Sequence, residues 1–405
     1  MKCCTLLFIV SLLVSCSANR GEVASTLSAR VIYPGSPAKS ESSVPYLFTD
    51  KNDQAYLSWV EKNDSILEFK FSRWKDQRWS EPKVISSGNT WFLNWADYPM
   101  IATDGSNNFI SHVLDKSGEG TYAYDIRIFT STDNGNAWSS SSILHDDGKE
   151  AEHGFASLVP YGDHFFVTWL DGRNTVDNSG DTSNGEDHGH HGSMSLRAAI
   201  IDYSGKKISE WELDKKTCDC CQTTAAVTSN GPVVIYRDRS DDEIRDISIV
   251  RLIDNTWTEP QAIFKDTWKI SGCPVNGPRT SAISNNMSVA WFSAPEGKAE
   301  VKVAFSKDGG VTFTPPVRVD KGKPNGRVDV VQLDDNSCIV SWMEEGSIMA
   351  VTVRDDGSYD SPVTIASSSE ARSSGFPQMT LAGKDLIFAW TDDKEKTVKV
   401  ASIQL

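Results

Sequence analysis

Arginines recur along the 405-residue chain in short polar stretches, as Arg173, Arg237, Arg239, Arg245, Arg279, Arg327 and Arg372. A planar guanidinium fork fits carboxylate or sulfate, so arginines gathered over one surface would make an anion cradle. Self-neutralisation is the competing reading. Residues 237–246, Arg-Asp-Arg-Ser-Asp-Asp-Glu-Ile-Arg-Asp, alternate in sign, and Arg173 in Asp171-Gly-Arg173 could brace its own turn. Candidates for acid/base chemistry are Asp97, in Trp95-Ala-Asp97-Tyr98-Pro99, and Glu152, next to His153. Tyr98 and Tyr236 are the candidate nucleophiles, since covalent catalysis needs a nucleophile beside an acid.

Cysteine supplies a second constellation. Cys218, Cys220 and Cys221 fall in one polar stretch and Cys273 in the next, whereas Cys338 opens an apolar run and reads as a buried small hydrophobe. In an oxidising compartment the expected outcome is two disulfides tying neighbouring repeats. The rival is a thiolate metal site, joined by His188, His190 or His191 from the insertion at 174–193, although the spacing matches no common zinc pattern. Neither a metal nor a cofactor is therefore expected.

The whole-chain balance narrows the partners. A net charge of −15 and a pI near 5.0 argue against nucleic acid, whose phosphates would be repelled. Lys2, the apolar residues 6–13 and the lipobox-like Leu13-Val14-Ser15-Cys16 mark residues 1–16 as a lipoprotein signal, with lipidation of Cys16. An ordinary secretory signal is the alternative. Lipid on Cys16 would be the only membrane attachment, in a bacterial cell envelope, and Ser17 suits the outer membrane. Residues 17–28 read as a polar tether and 29–405 as one folded domain.

That domain is all-β and repetitive. Residues 218–264 hold four short alternating runs, 222–227, 232–236, 247–252 and a last one beginning at Trp257 and continuing through 261–264, separated by Ser, Asn, Gly and Asp. Such a four-stranded antiparallel meander is one propeller blade. Second strands ending at Trp59, His112, Trp169, Tyr236, Trp291, Trp342 and Trp390 recur at intervals of roughly 50 to 60 residues. Seven blades are expected, with six as the alternative. The last repeat lacks a fourth strand, and 29–35 resembles the fourth strand at 82–88, so the N-terminal strand should close the ring.

Two turns carry a sharper pattern: Ser131-Thr-Asp133-Asn-Gly135-Asn-Ala-Trp138 and Ser306-Lys-Asp308-Gly-Gly310-Val-Thr-Phe313. Both fit the Asp-box, in which an aspartate satisfies turn amides and an aromatic packs beneath. On these turns and repeats the chain resembles the sialidase-like BNR propellers. The resemblance implies structural Asp-boxes between third and fourth strands, a functional face on the opposite side, and exo-glycosidase activity on acidic sugars such as sialosides. It also implies an arginine triad, matched in type and placement by Arg237, Arg279 and Arg327. The early Arg-Ile-Pro element of those enzymes is absent, and Tyr359 is the only tyrosine after Arg327. Two other readings stay open: a non-catalytic acidic-glycan-binding lipoprotein, and a uronate-directed lyase or metal-dependent enzyme using His153 or His191.

Overall fold

The computed structural model describes Leu27 and residues 30–176 and 192–405. Cys16, the signal segment, nearly all of the tether and His188, His190 and His191 lie outside the described residues. No described helix is long and apolar enough to cross a membrane.

Seven antiparallel sheets follow one another in chain order, over residues 42–88, 101–143, 153–214, 224–264, 279–318, 324–367 and 378–404. Each is a meander of neighbouring strands, giving the seven-bladed β-propeller. Blades one and four count an extra strand because the fourth splits, into Arg78–Trp79 and Lys83–Gly88 or Thr256–Trp257 and Gln261–Phe264. Pro82 and Pro260 sit in these gaps and have no N–H to give to a ladder.

The second strands form the rigid interior. Trp59, Trp169, Trp291 and Trp342 are fully buried, and each indole N–H donates to a carboxylate: Glu61 at 2.8 Å, Asp171 at 2.8 Å, Asp266 at 2.7 Å and Glu344 at 2.9 Å. A buried indole needs such an acceptor. In three blades the acceptor lies two residues further on, where the strand runs out into its loop. The tryptophan ladder therefore anchors the loops of one face.

The ring closes between first and last blades through Val44 N–H to Thr391 Oγ1 at 3.2 Å and Thr49 to Thr380 at 2.7 Å. The N-terminal segment completes blade seven. Ile32 exchanges both backbone hydrogen bonds with Ser402, at 2.9 and 2.8 Å, and Leu27 and Val31 join the apolar cluster around Ile403. Among the described residues the pairing is two isolated bridges, Ile32 with Ser402 and Ser40 with Thr397, and not a continuous strand, because Pro34 and Pro37 interrupt it. Removing residues 17–36 should lower stability by about 3 kcal/mol, since it strips apolar cover and bares a sheet edge. Calorimetry on the truncated chain checks this; an unchanged melting temperature would refute the closure.

Both Asp-boxes lie between third and fourth strands. Asp133 Oδ1 accepts from Asn136 N–H at 3.0 Å and Ala137 N–H at 2.9 Å, and Asp308 Oδ1 accepts from Val311 and Thr312 N–H, both at 2.9 Å. The hydroxyls of Ser131 and Ser306 each donate to that aspartate at 2.8 Å and accept from Gly135 or Gly310 N–H. Trp138 packs edge-on against Phe71 and Phe109, and Phe313 against the cluster around Trp291. At Gly135 a Cβ would stand 2.7 Å from the Phe71 ring, and φ is +70°, so only glycine lets this turn dock on the preceding blade.

Candidate active site at the mouth of the propeller

The opposite face collects the loops from fourth to first strands and from second to third. Several innermost strands enter it through a bulge. Val44, Phe155, Val275 and Arg327 take positive φ of 49, 54, 47 and 52°, and register shifts accompany three of them, at 43/46, 154/157 and 326/329. Such backbone is costly for bulky residues and is kept where it re-aims side chains.

A cavity of about 570 Å³ opens here, with Trp95, Glu152, Asp219, Arg239, Arg245 and Arg372 in its wall. Glu152 opens the third blade. Tyr124, on the third strand of blade two, pairs with it by a parallel backbone bridge and donates its hydroxyl to Glu152 Oε1 at 2.8 Å. Burial, reinforced by the charge on Asp219, outweighs that hydrogen bond and pushes the Glu152 carboxyl up to about 7. Asp219 is also raised by burial, against the attraction of Arg239, which donates to it at 2.8 Å. Behind them Asp97 is buried, with Oδ1 accepting from Phe155 N–H at 2.8 Å and Oδ2 without a described partner. Burial holds its carboxyl well above the usual range, and a Cβ on Gly154 would stand 2.0 Å from Oδ2. The mouth thus holds a buried acid, an acid poised near neutrality and an acid paired with arginine.

Of the residues expected to act, Glu152 lines the cavity and Asp97 packs beneath it. Tyr98 and Tyr236 do not line it. Tyr98 is buried against Phe376 beside Arg279, and the Tyr236 hydroxyl is bound to Asp214. Burial raises both phenols, away from nucleophilic use. Sequence reasoning missed Tyr124 and Asp219: the first sits inside a plain strand, and only the long-range bridge to Glu152 brings it here.

The arginines divide into four groups. Arg237 and Arg327 are buried clamps on backbone carbonyls. Arg237 donates to Asn276 O at 2.8 Å, Arg245 O at 2.7 Å and Phe292 O at 2.7 Å. Arg327 donates to Gly375 O at 2.9 Å, Glu370 O at 3.0 Å and Ala371 O at 3.1 Å, plus Ser374 Oγ at 2.7 Å. Arg279 faces the central channel, a separate cavity of about 790 Å³, beside Gln378 at 2.6 Å and Asp329 at 3.5 Å. The three do not meet in the mouth cavity. Arg173 grips Asp171 with two bonds of 2.8 Å and braces the turn. Arg239, Arg245 and Arg372 remain at the mouth, the first two sharing Glu243 and the third lying over Trp95 at 5.9 Å.

Cys218, Cys220, Cys221 and Cys273 converge on one side of the cavity, with Cys220 and Cys273 in its wall. Cys218 Sγ is 3.5 Å from Cys221 Sγ and 4.0 Å from Cys220 Sγ, and all the described thiols are free. Burial raises the Cys218 thiol, but its contacts with Cys220 and Cys221 and the nearby charge of Arg245 and Arg237 hold it well below the ordinary range. Cys338 is buried in the sixth blade. His153 is fully buried, stacked on His145 with ring centroids 3.5 Å apart and tied to Asp147 at 2.9 Å.

The family model described as the BNR repeat-like domain matches residues 61–386. No curated protein matches the chain significantly. Among solved structures, the chain is similar to the NanB sialidase from Streptococcus pneumoniae, with a TM-score of 0.46 and 10% identity over 95% of this chain and 98% of that one. It is also similar to an α-L-arabinanase from Penicillium chrysogenum, with a TM-score of 0.49 and 11% identity over 93% and 98%. A puromycin-hydrolyzing peptidase from Mycobacterium tuberculosis gives a TM-score of 0.50 and 11% identity over 94% of this chain and 56% of that one. With the family model spanning most of a seven-bladed ring that carries two Asp-boxes, this chain belongs to the BNR repeat-like family of sialidase-like β-propellers.

Proposed function

We propose that the protein is a glycan-processing propeller that binds an acidic sugar in its mouth cavity and cleaves the glycosidic bond by acid/base chemistry at Glu152. One observation carries this reading: a carboxyl pushed up to about 7, oriented by the Tyr124 hydroxyl, in the wall of an open cavity. A general acid works best when its pKa lies near the working pH. Protonated Glu152 would give its proton to the leaving oxygen, and Asp219, paired with Arg239, would supply the negative charge that an oxocarbenium-like transition state attracts; a water molecule would then add to the anomeric carbon and return its proton to Glu152.

Recognition falls to the arginines left at the mouth. Arg372 makes no ion pair with a described residue and lies over Trp95 in the cavity wall, so its fork is free for a sugar carboxylate or sulfate. The lipobox ending at Cys16 supports a place for the propeller on the cell envelope, held by lipid.

Acidic and neutral chromogenic glycosides, assayed for binding and for release at low and high salt, test the proposal. The expected result is preference for the acidic set, affinity that falls with salt, and a loss of about tenfold in Arg372→Ala, the size of one charge-assisted contact. Binding without release leaves the glycan-receptor reading, and equal affinity for neutral sugars contradicts both.

A further inference from the structure

The thiol cluster beside the cavity is a separate feature, independent of the glycan reading. From its geometry we infer that Cys218, Cys220 and Cys221, with Cys273 as fourth ligand, form a site for a thiophilic d¹⁰ cation, zinc(II) or copper(I). The Sγ atoms of the first three lie within 4.8 Å of one another. A tetrahedral zinc thiolate with Zn–S of about 2.3 Å has sulfurs about 3.8 Å apart. The observed separations of 3.5 and 4.0 Å straddle that edge length, well beyond the roughly 2.05 Å of a disulfide. Three sulfurs this close to one another form a triangle that one cation can bridge.

Charge and preorganisation agree with this. Arg245 places Nη1 3.2 Å from Cys218 Sγ and is itself buried, so a cation stands where thiolates would otherwise accumulate uncompensated negative charge. The loop does not depend on the sulfurs for its shape. Cys218 N–H donates to Arg237 O at 3.0 Å. The Gln222 amide bridges Ala96 O at 2.6 Å and Gly277 N–H at 2.9 Å. A Cβ on Gly277 would stand 2.3 Å from Gln222 O, which keeps that approach open only to glycine. Cys273 stands in the same cavity wall as Cys220, in the loop that leads into the fifth blade, so as fourth ligand it would pin two neighbouring loops together through the ion. On binding, each thiol gives its proton to solvent and no electrons are exchanged.

The test uses full-length protein reduced and handled without oxygen, loaded separately with zinc(II), copper(I) and cobalt(II), then washed against a chelator selective for each. Expected are one ion per chain and, with cobalt, thiolate charge-transfer bands in the near ultraviolet. Loss of an outer-shell partner alone costs a metal site roughly 10–100-fold, so Cys218→Ser and Cys221→Ser should weaken binding by at least that much, with Cys338→Ser unchanged. Zinc and copper arms decide which ion is held more tightly. No uptake by the reduced wild-type chain, or bands of undiminished strength in folded Cys218→Ser and Cys221→Ser, would overturn the inference. Peptide mapping that finds two disulfides which cannot be reduced in the folded chain does the same.

Discussion

Glu152→Gln is expected to lower turnover of an acidic glycoside by about 10²–10⁴-fold while leaving substrate affinity within a few-fold, since the amide keeps the shape and loses only the transferable proton. The pH dependence makes the same claim independently. With Glu152 pushed up to about 7, the acid form needed for protonating the leaving oxygen is lost above that pH, so kcat/KM should fall on the alkaline side and that limb should vanish in Glu152→Gln. Stability moves in the same direction. A carboxyl whose folded value is raised favours the folded state at low pH. Its contribution is complete below its ordinary value near 4.5 and disappears as pH rises through about 7. A variant with full turnover, or one whose alkaline limb survives, would remove Glu152 from the role.

Arg237→Met carries the second large effect, and it falls on folding. Its guanidinium is buried, makes no ion pair with a described residue, and holds carbonyls from two loops and from a strand of the fifth blade while packing on Trp268 at 4.9 Å. Removing it orphans buried acceptors, so a loss of about 3–5 kcal/mol in unfolding free energy is expected. Arg239→Met is the control, because partly exposed ion pairs such as those it makes with Asp219 and Glu243 are worth less than about 1 kcal/mol. Chemical denaturation of the two variants separates the roles. Equal stabilities would mean that Arg237 is a ligand arginine after all.

How much of this was legible beforehand depended on range. The second strands could be read because Trp59, Trp169, Trp291 and Trp342 end alternating apolar runs, a signal held within a few residues. Topology alone then named the mouth face, and Glu152, the cysteines and Arg372 do lie there. The roles of Arg237, Arg279 and Arg327 were not legible. Their residue type suits a carboxylate, but their partners are set by bulged backbone such as that at Arg327 and by carbonyls and side chains far away in the chain, from Asn276 for Arg237 to Gln378 for Arg279. Tyr124 was hidden for the same reason, since its strand shows nothing unusual until blade three folds against it. Blade closure is half legible: 29–35 is like a fourth strand in sequence, while Pro34 and Pro37 cut the pairing to isolated bridges at Ile32 and Ser40.

The central claim is that the mouth cavity, and not the central channel, meets an acidic sugar. A crystal of the Glu152→Gln chain soaked with an acidic oligosaccharide tests it most directly, because the substrate should survive intact. The expected density lies between Trp95, Asp219 and Arg372, with the sugar's carboxylate or sulfate on the Arg372 guanidinium and the scissile oxygen beside residue 152. Density in the channel beside Arg279 and Asp329, with the mouth unchanged, would contradict it.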